Sequence, residues 1–224
     1  MQKTVEPQYK LLMDVKEKHG IASFGLMANE SWACDPKRTL FTLARYKFVG
    51  KMLAGKASVL EVGCADAFGT RIVQQHVGSV VATDIDPIFI EDAENRMDPS
   101  WPLELRVHDM IAGPIEGPFN AAYSLDVLEH IRAEDERAFL GNVASSLTPT
   151  GVAIVGMPSL ESQAYASPQS KEGHVNCKSG EDFKMLMEEF FENCFLFSMN
   201  DEVIHTGFSK MAHYVLVLGC MPKR

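Results

Sequence analysis

Hydrophobic and polar positions alternate along the chain with two different periods, one typical of helices and one typical of buried strands. Short apolar runs predict strands, and the longer segments between them, with apolar residues three or four positions apart, predict helices. The predicted strands cover residues 59–62, 80–83, 103–107, 120–125, 152–157, 195–199 and 213–218. Because helices and strands alternate, we predict an α/β fold with a mostly parallel sheet, helices on both faces and a closing antiparallel hairpin.

Two predicted helices, over residues 4–19 and 36–53, precede the first strand. Asp35 and Pro36 are typical of a helix start, because an Asp side chain caps free amides and Pro fits the first turn. Further helices are predicted over residues 71–77, 87–97, 133–147 and 181–191.

This order predicts an N-terminal helical cap over residues 1–56 and a single larger domain over residues 57–224. The chain of 224 residues is 46% hydrophobic, so it can bury a sizeable core without a disulfide or a structural metal. The polar segment 159–178 is predicted to be a long loop after the fifth strand. Loops of that length in compact domains usually carry function.

Charge and cysteine content restrict the partners and the compartment. There are 30 acidic and 21 basic residues, a formal net charge of −9, and an acidic surface repels phosphate backbones, which argues against a nucleic-acid partner. The five cysteines are scattered and odd in number, which favours a reducing compartment. The first residues lack a signal-peptide pattern, and no apolar run reaches membrane-spanning length. We therefore expect a cytoplasmic protein with no membrane partner.

A glycine and several acidic residues lie around the ends of the first two strands, where open α/β sheets bind ligands. Gly63 follows the first strand directly and lets the backbone approach a ligand closely. Asp84 ends the second strand, a position from which a carboxylate binds ribose hydroxyls. A dinucleotide site would need glycines where this chain has Ala65 and Phe68, and the charge of Glu61 would oppose a pyrophosphate. The pattern favours a cationic cofactor instead.

Five segments in a fixed order carry a family resemblance: VLEVGCADAFGT, VVATDID, VHDM, FNAAYSLDVLEHI and LTPTGVAIVGMPS. Over about residues 57–158 they resemble the motif set of the class I methyltransferases that depend on S-adenosylmethionine (SAM). The resemblance implies a Rossmann-like domain, SAM as the cofactor and an enzymatic methyl transfer. SAM is positively charged at sulfur, which agrees with the acidic residues around the first strand.

The resemblance also implies which residues contact SAM. The first strand and its loop would lie against the methionine part of SAM, through Glu61, Gly63, Cys64, Ala65 and Asp66. The other implied contacts are with the ribose (Asp84), the adenine (Ile85, Asp109 and Met110) and the surroundings of the sulfonium (Ser124 and Leu125).

Two further details concern the loop after the first strand and the helix before it. Many members of the family have glycine where this chain has Ala65 and Ala67. Alanine is tolerated there at a small steric cost if φ is negative, and we expect SAM binding to be kept in a tighter or reshaped loop. Shortly before the first strand, Arg45 or Tyr46 would meet the carboxylate of SAM. The alternative is that both belong to a basic turn of an amphipathic helix.

Asp126, Glu129 and His130 follow the fourth strand, and their spacing of three and four residues predicts one shared helical face. With His174 from the long loop, this pattern resembles the ubiquinone-biosynthesis O-methyltransferases and the small-RNA 2′-O-methyltransferases. The resemblance implies that these four residues bind a divalent cation, which lowers the pKa of an acceptor hydroxyl. Two carboxylates and two imidazoles suit Mn, Fe, Co or Zn, and also Mg.

An alternative without a metal stays open. In that case Glu129 and His130 order the helix start and line the acceptor pocket. His130 is then the first choice for general base and His174 the second.

The sequence therefore predicts O-methylation of a small-molecule or carbohydrate-like acceptor. The terminal regions resemble methyltransferases of bacterial surface-polysaccharide pathways. Two other functions remain as alternatives: methylation of RNA at the 2′ oxygen, and a non-catalytic SAM-binding module.

Overall fold

A computed structural model describes residues 4–224, which contain one eight-stranded sheet. The strands are β1 Ser58–Val62, β2 Ser79–Asp84, β3 Glu104–Val107, β4 Phe119–Leu125, β5 Leu147–Pro158, β6 Phe191–Asn200, β7 Val203–His205 and β8 Tyr214–Pro222. Their order in the sheet is β3-β2-β1-β4-β5-β8-β6-β7. Strands β1 to β5 run parallel, whereas β8 is antiparallel to both β5 and β6, and β7 is antiparallel to β6.

The helices cover both faces of the sheet, which confirms the predicted fold class. They are α1 Lys10–His19, α2 Leu26–Cys34, α3 Pro36–Met52, α4 Thr70–Gln74, α5 Pro87–Asn95, α6 Glu136–Ser145, α7 Pro168–Gly173 and α8 Gly180–Glu188. On one face, α6 and α8 pack on the sheet through residues such as Phe139 and Phe183. On the other, α3, α4 and α5 pack through residues such as Val49, Val73 and Ile90.

The central strands are buried on both sides, and this explains their unbroken apolar sequences. Successive side chains of a strand point to opposite faces, so Val59 packs on the α3 side and Leu60 on the α6 side. The strand order reverses between β1 and β4. The carboxyl ends of the parallel strands therefore border a crevice at this switch point.

Several local predictions need correction. The first helix begins only at Lys10, after a 3₁₀ turn over Pro7–Tyr9. Helix α2 was not predicted, because its apolar residues are not confined to one side. The predicted loop 159–178 contains a 3₁₀ turn, Glu161–Tyr165, and the short helix α7.

The C-terminal strands and the residues that cap the helices also differ in part from expectation. Strands β6 and β8 do pair antiparallel, but the three-residue strand β7 separates them along the chain and was missed. Asp86 caps α5 by accepting a hydrogen bond from the amide of Ile88, whereas the Asp35 side chain makes no such bond at the start of α3. Among residues 4–224, no helix has the length and apolar character needed to cross a membrane.

Candidate active site

A cavity of about 1080 Å³ lies at the carboxyl ends of the parallel strands. The loops that follow β1, β2, β3 and β4 form one side of the cavity, and residues of α2 and α3 form the other. Of the residues that the sequence pointed to, fifteen line it: Arg45, Tyr46, Gly63, Cys64, Ala65, Asp66, Asp84, Ile85, Asp109, Met110, Leu125, Asp126, Glu129, His130 and His174.

Two predicted contact residues, Glu61 and Ser124, do not line the cavity but lie beneath it. The buried Glu61 carboxylate accepts hydrogen bonds from the hydroxyls of Tyr46 at 3.0 Å and Thr70 at 2.5 Å. Burial raises the pKa of Glu61 to about 7. The Ser124 hydroxyl donates to the backbone carbonyl of Val62 at 2.9 Å. Both side chains are thus committed to other protein groups, which corrects the expectation that they contact the cofactor directly.

The loop after β1 has a left-handed backbone at three positions. Gly63 has φ of 77°, and a Cβ atom there would overlap the side chain of Val127. Ala65 and Ala67 have φ of 44° and 54°, so neither position has the negative φ that alanine tolerates best. A left-handed conformation costs an alanine about 1–2 kcal/mol, because its Cβ crowds the carbonyl oxygen. The Ala65 amide donates to Asp84 at 2.8 Å and so helps to fix the tight loop.

Three acidic side chains along the cavity are held in place by backbone amides. Asp66 accepts hydrogen bonds from the amides of Ala28 at 2.7 Å and Phe68 at 3.1 Å. Asp84 accepts from the amides of Ala65 at 2.8 Å and Asp86 at 2.9 Å. Asp109 accepts from the amide of Ile111 at 2.9 Å. Each carboxylate has a defined orientation before any ligand arrives.

Helix α2 packs directly on the loop after β1, a contact that the sequence did not reveal. Besides the bond from Ala28 to Asp66, Gly25 packs so closely that a Cβ atom would overlap Asp66 and Arg96. The Arg96 guanidinium donates to the carbonyl oxygen of Asp66 and to the carboxylate of Asp92. The N-terminal segment therefore forms a wall of the cavity, with Met27, Glu30 and Ser31 among its lining residues.

Asp126 is not part of the cluster that the other three predicted metal ligands form. Its carboxylate forms two hydrogen bonds with one nitrogen of Arg45, at 2.6 and 2.8 Å. The Arg45 guanidinium also lies over the ring of Tyr214, 3.7 Å from its centroid. Asp126 has φ of 58°, and the only helical residues here form a single 3₁₀ turn, Leu128–His130. The expected common helical face for Asp126, Glu129 and His130 does not form.

Glu129, His130 and His174 do come together. One ligand atom from each lies within 4.8 Å of those of the other two. Glu129 is 1% exposed, and burial, assisted by the negative charge of Asp126, raises its pKa well above the usual range. Its Oε2 atom has no hydrogen-bond partner among the described residues. A buried carboxylate oxygen left without a partner is costly, so this atom suits a ligand or a proton.

The two imidazoles are oriented by bonds from Nδ1. His130 Nδ1 donates to the carbonyl oxygen of Gly173 at 2.8 Å, and His174 Nδ1 donates to the side-chain oxygen of Gln163 at 2.9 Å. Burial, together with the nearby His130, lowers the pKa of His174. A neutral imidazole with its proton on Nδ1 has a free electron pair on Nε2, the form that binds metals or accepts protons. This donor set fits a divalent transition metal.

Comparison with known proteins shows which domain family and which fold the chain resembles. Residues 59–151 match the family model described as a methyltransferase domain. No curated protein sequence matches the chain. Among solved structures, the N-methyltransferase NodS from Bradyrhizobium japonicum, in complex with S-adenosylhomocysteine, is 18% identical with a TM-score of 0.61, over 86% of this chain and 91% of that one.

Two further structures share the fold. A SAM-dependent methyltransferase from Thermotoga maritima is 16% identical, with a TM-score of 0.65 over 86% of this chain and 94% of that one. The methyltransferase domain of a bacterial Hen1 protein is 13% identical, with a TM-score of 0.65 over 80% of this chain and 99% of that one. The chain therefore has the Rossmann-like fold of the SAM-dependent methyltransferases, and its residues 59–151 are similar to the methyltransferase domain family.

Proposed function

We propose that this enzyme methylates a hydroxyl oxygen of a small-molecule or carbohydrate-like acceptor, with a divalent cation held by Glu129, His130 and His174. The proposal rests on the convergence of these three side chains on one side of the cavity. SAM supplies the methyl group, and a cation supplies a lower pKa to a hydroxyl that it binds.

We propose that SAM occupies the part of the cavity bordered by the loop after β1. Gly63, Cys64, Ala65 and Asp66 would contact its methionine part, with Leu125 near the sulfonium. At the other end Asp84 would bind the ribose, and the adenine would lie among Ile85, Asp109 and Met110. The exposed Ile85 side chain supports the adenine contact, because a flat apolar ring gains from covering it.

The acceptor would enter beside the two histidines. Ser167, Gln169, Ser170 and Arg132 line this end of the cavity, and their hydroxyl, amide and guanidinium groups suit an acceptor with several hydroxyls. Glu129, buried below, would face the reacting oxygen through Oε2. We also propose that residues 1–56, of which the structure describes 4–56, form a cap over the cavity, since α2 and α3 form the wall opposite the strand loops.

The roles of the histidines differ if no cation binds. His130 is half-exposed, and its Nε2 lies 4.0 Å from the Glu129 carboxylate. It would then take the proton of the acceptor hydroxyl at Nε2, since Nδ1 is occupied by Gly173. His174, more buried, is the second choice.

Methylation of RNA and a non-catalytic role remain as alternatives. The fold does not choose the acceptor, since it is shared by the N-methyltransferase NodS and the Hen1 domain. The net charge of −9 disfavours RNA. The buried Glu129 Oε2 has no hydrogen-bond partner within residues 4–224, which favours catalysis or ligand binding over a passive module.

The test is transfer of a radiolabelled methyl group from SAM to polyhydroxylated acceptors by chelator-treated enzyme, with and without added Mn²⁺. We expect activity to require Mn²⁺ and to fall by about 100-fold or more in His174→Ala. His205→Ala serves as the control, because His205 bonds to Asn200 at the far edge of the sheet. Equal activity without metal would contradict the metal role, and cofactor binding without turnover on any acceptor would favour the non-catalytic alternative.

A further inference from the structure

The segment 159–178 supplies the hydrogen-bond acceptors for both imidazoles of the site. Gly173 offers a backbone carbonyl to His130, and Gln163 offers its side-chain oxygen to His174. Carbonyl and amide oxygens only accept hydrogen bonds, so each neutral ring carries its proton on Nδ1. A single segment thus controls the orientation of both rings.

Gln163 is itself held in one orientation. Its Nε2 donates to the Ser159 carbonyl at 3.1 Å and to the Ser162 hydroxyl at 3.2 Å, which directs the amide oxygen to His174. Ser159 is fully buried, and its hydroxyl donates to the Ala212 carbonyl at 2.7 Å. The acceptor for His174 is therefore anchored on the end of β5 rather than on a mobile chain.

The other end of the segment is fixed to Glu129. The amides of Val175 and Asn176 donate to the Glu129 backbone carbonyl at 2.8 and 3.0 Å. The Asn176 side chain donates to the buried Glu136 carboxylate at 2.8 Å, and Lys178 forms an ion pair with the same carboxylate. Because of these bonds, His174 is held between two anchored points of the chain.

We infer that Gln163 is a positioning residue, which fixes His174 as the Nδ1–H tautomer and leaves Nε2 free for the cation. The inference rests on the proposed function for the cation, but the tautomer does not depend on metal binding. Loss of an outer partner of a ligating histidine typically weakens metal binding by about 10–100-fold. Gln163 contacts His174, so we expect it to affect the metal-binding histidine and not the binding of the methyl acceptor.

The test combines two measurements on Gln163→Leu, which removes the acceptor, and Gln163→Glu, which keeps an oxygen at the same place. Long-range ¹H–¹⁵N spectra of the metal-free, histidine-labelled protein report the tautomer of His174. Titration calorimetry with Mn²⁺ reports affinity. The control is Gln74→Leu, since the Gln74 amide likewise donates to a backbone carbonyl, that of Pro102, away from the site.

We expect Gln163→Leu to lose the pure Nδ1–H tautomer and to bind Mn²⁺ about 10–100-fold more weakly. Gln163→Glu, whose carboxylate still accepts a bond from His174 Nδ1, should keep the tautomer, and Gln74→Leu should keep both properties. An unchanged tautomer of His174 in Gln163→Leu overturns the inference. If the wild-type protein binds no Mn²⁺, the metal part of the proposed function fails, and the tautomer comparison alone decides the role of Gln163.

Discussion

Glu61 lies beneath the loop after β1, where its carboxylate accepts bonds from Tyr46 and Thr70. Burial raises its pKa from the usual 4.5 to about 7. Between these two pH values the folded state binds more protons than the unfolded state, so stability falls as pH rises. Well above pH 7 the carboxyl is ionised in both states, and this contribution changes no further.

The substitution Glu61→Gln removes the titrating carboxyl and keeps an amide oxygen that accepts hydrogen bonds from hydroxyls. We expect the free energy of unfolding of the variant, relative to wild type, to increase by about 3 kcal/mol as the pH rises from 4.5 to 7. Urea denaturation at a series of pH values measures it, with Glu192→Gln on the exposed side of β6 as the control. A difference in unfolding free energy that does not vary with pH would show that the pKa of Glu61 is not raised.

Ala67 gives a second test at single-residue scale, because its φ of 54° is unfavourable for alanine. In Ala67→Gly the relief of strain opposes the greater chain entropy of glycine, so stability should stay equal or rise by up to about 1 kcal/mol. The control Ala138→Gly, exposed within α6, should lose about 1 kcal/mol. Equal losses in both variants would contradict the left-handed backbone at position 67.

At this scale the sequence located the strand-end acids but not the orientation of every side chain. Asp66, Asp84 and Asp109 could be assigned to the cavity because each follows or ends a strand. Glu61 and Ser124 lie within strands, where neighbouring side chains point to opposite faces, and burial by α3 or α6 decides their contacts. The partner of Asp126 was missed because Arg45 is distant in the chain.

Helix α2 is the element with the largest effect on the site that its sequence did not predict. Its apolar side chains show no single face, and its role depends on Gly25, which allows close packing on Asp66. By contrast, most other helices and strands were predicted within a few residues, although α1 begins later and β5 earlier than predicted. Tertiary contact, rather than local preference, places α2.

The variant Gly25→Ala should displace α2 from the loop after β1, because the new Cβ would overlap Asp66. We expect affinity for S-adenosylhomocysteine to fall by about tenfold, roughly 1.4 kcal/mol, with little change in thermal stability. Calorimetric titration measures it. Gly113→Ala, with open space around the added Cβ, is the control. Unchanged affinity in Gly25→Ala would show that α2 does not shape the cofactor site.

For the whole molecule, the alternation of helices and strands was sufficient to predict the sheet and its two helical layers. Parallel strands need crossover helices, so the order of elements restricts the fold strongly. The short strand β7 was missed because three residues carry too little pattern. The cluster of Glu129, His130 and His174 depends on the segment 159–178 folding back on Glu129, a long-range contact that no local pattern encodes.

The most direct test is calorimetric titration of the chelator-treated protein with S-adenosylhomocysteine, followed by Mn²⁺. We expect micromolar binding of S-adenosylhomocysteine, and a separate Mn²⁺ heat that disappears in His130→Ala while cofactor binding remains. Cofactor binding with no Mn²⁺ heat would leave His130 as an acid–base residue and remove the metal. No binding of S-adenosylhomocysteine under either condition would contradict the account of the cavity as the SAM site.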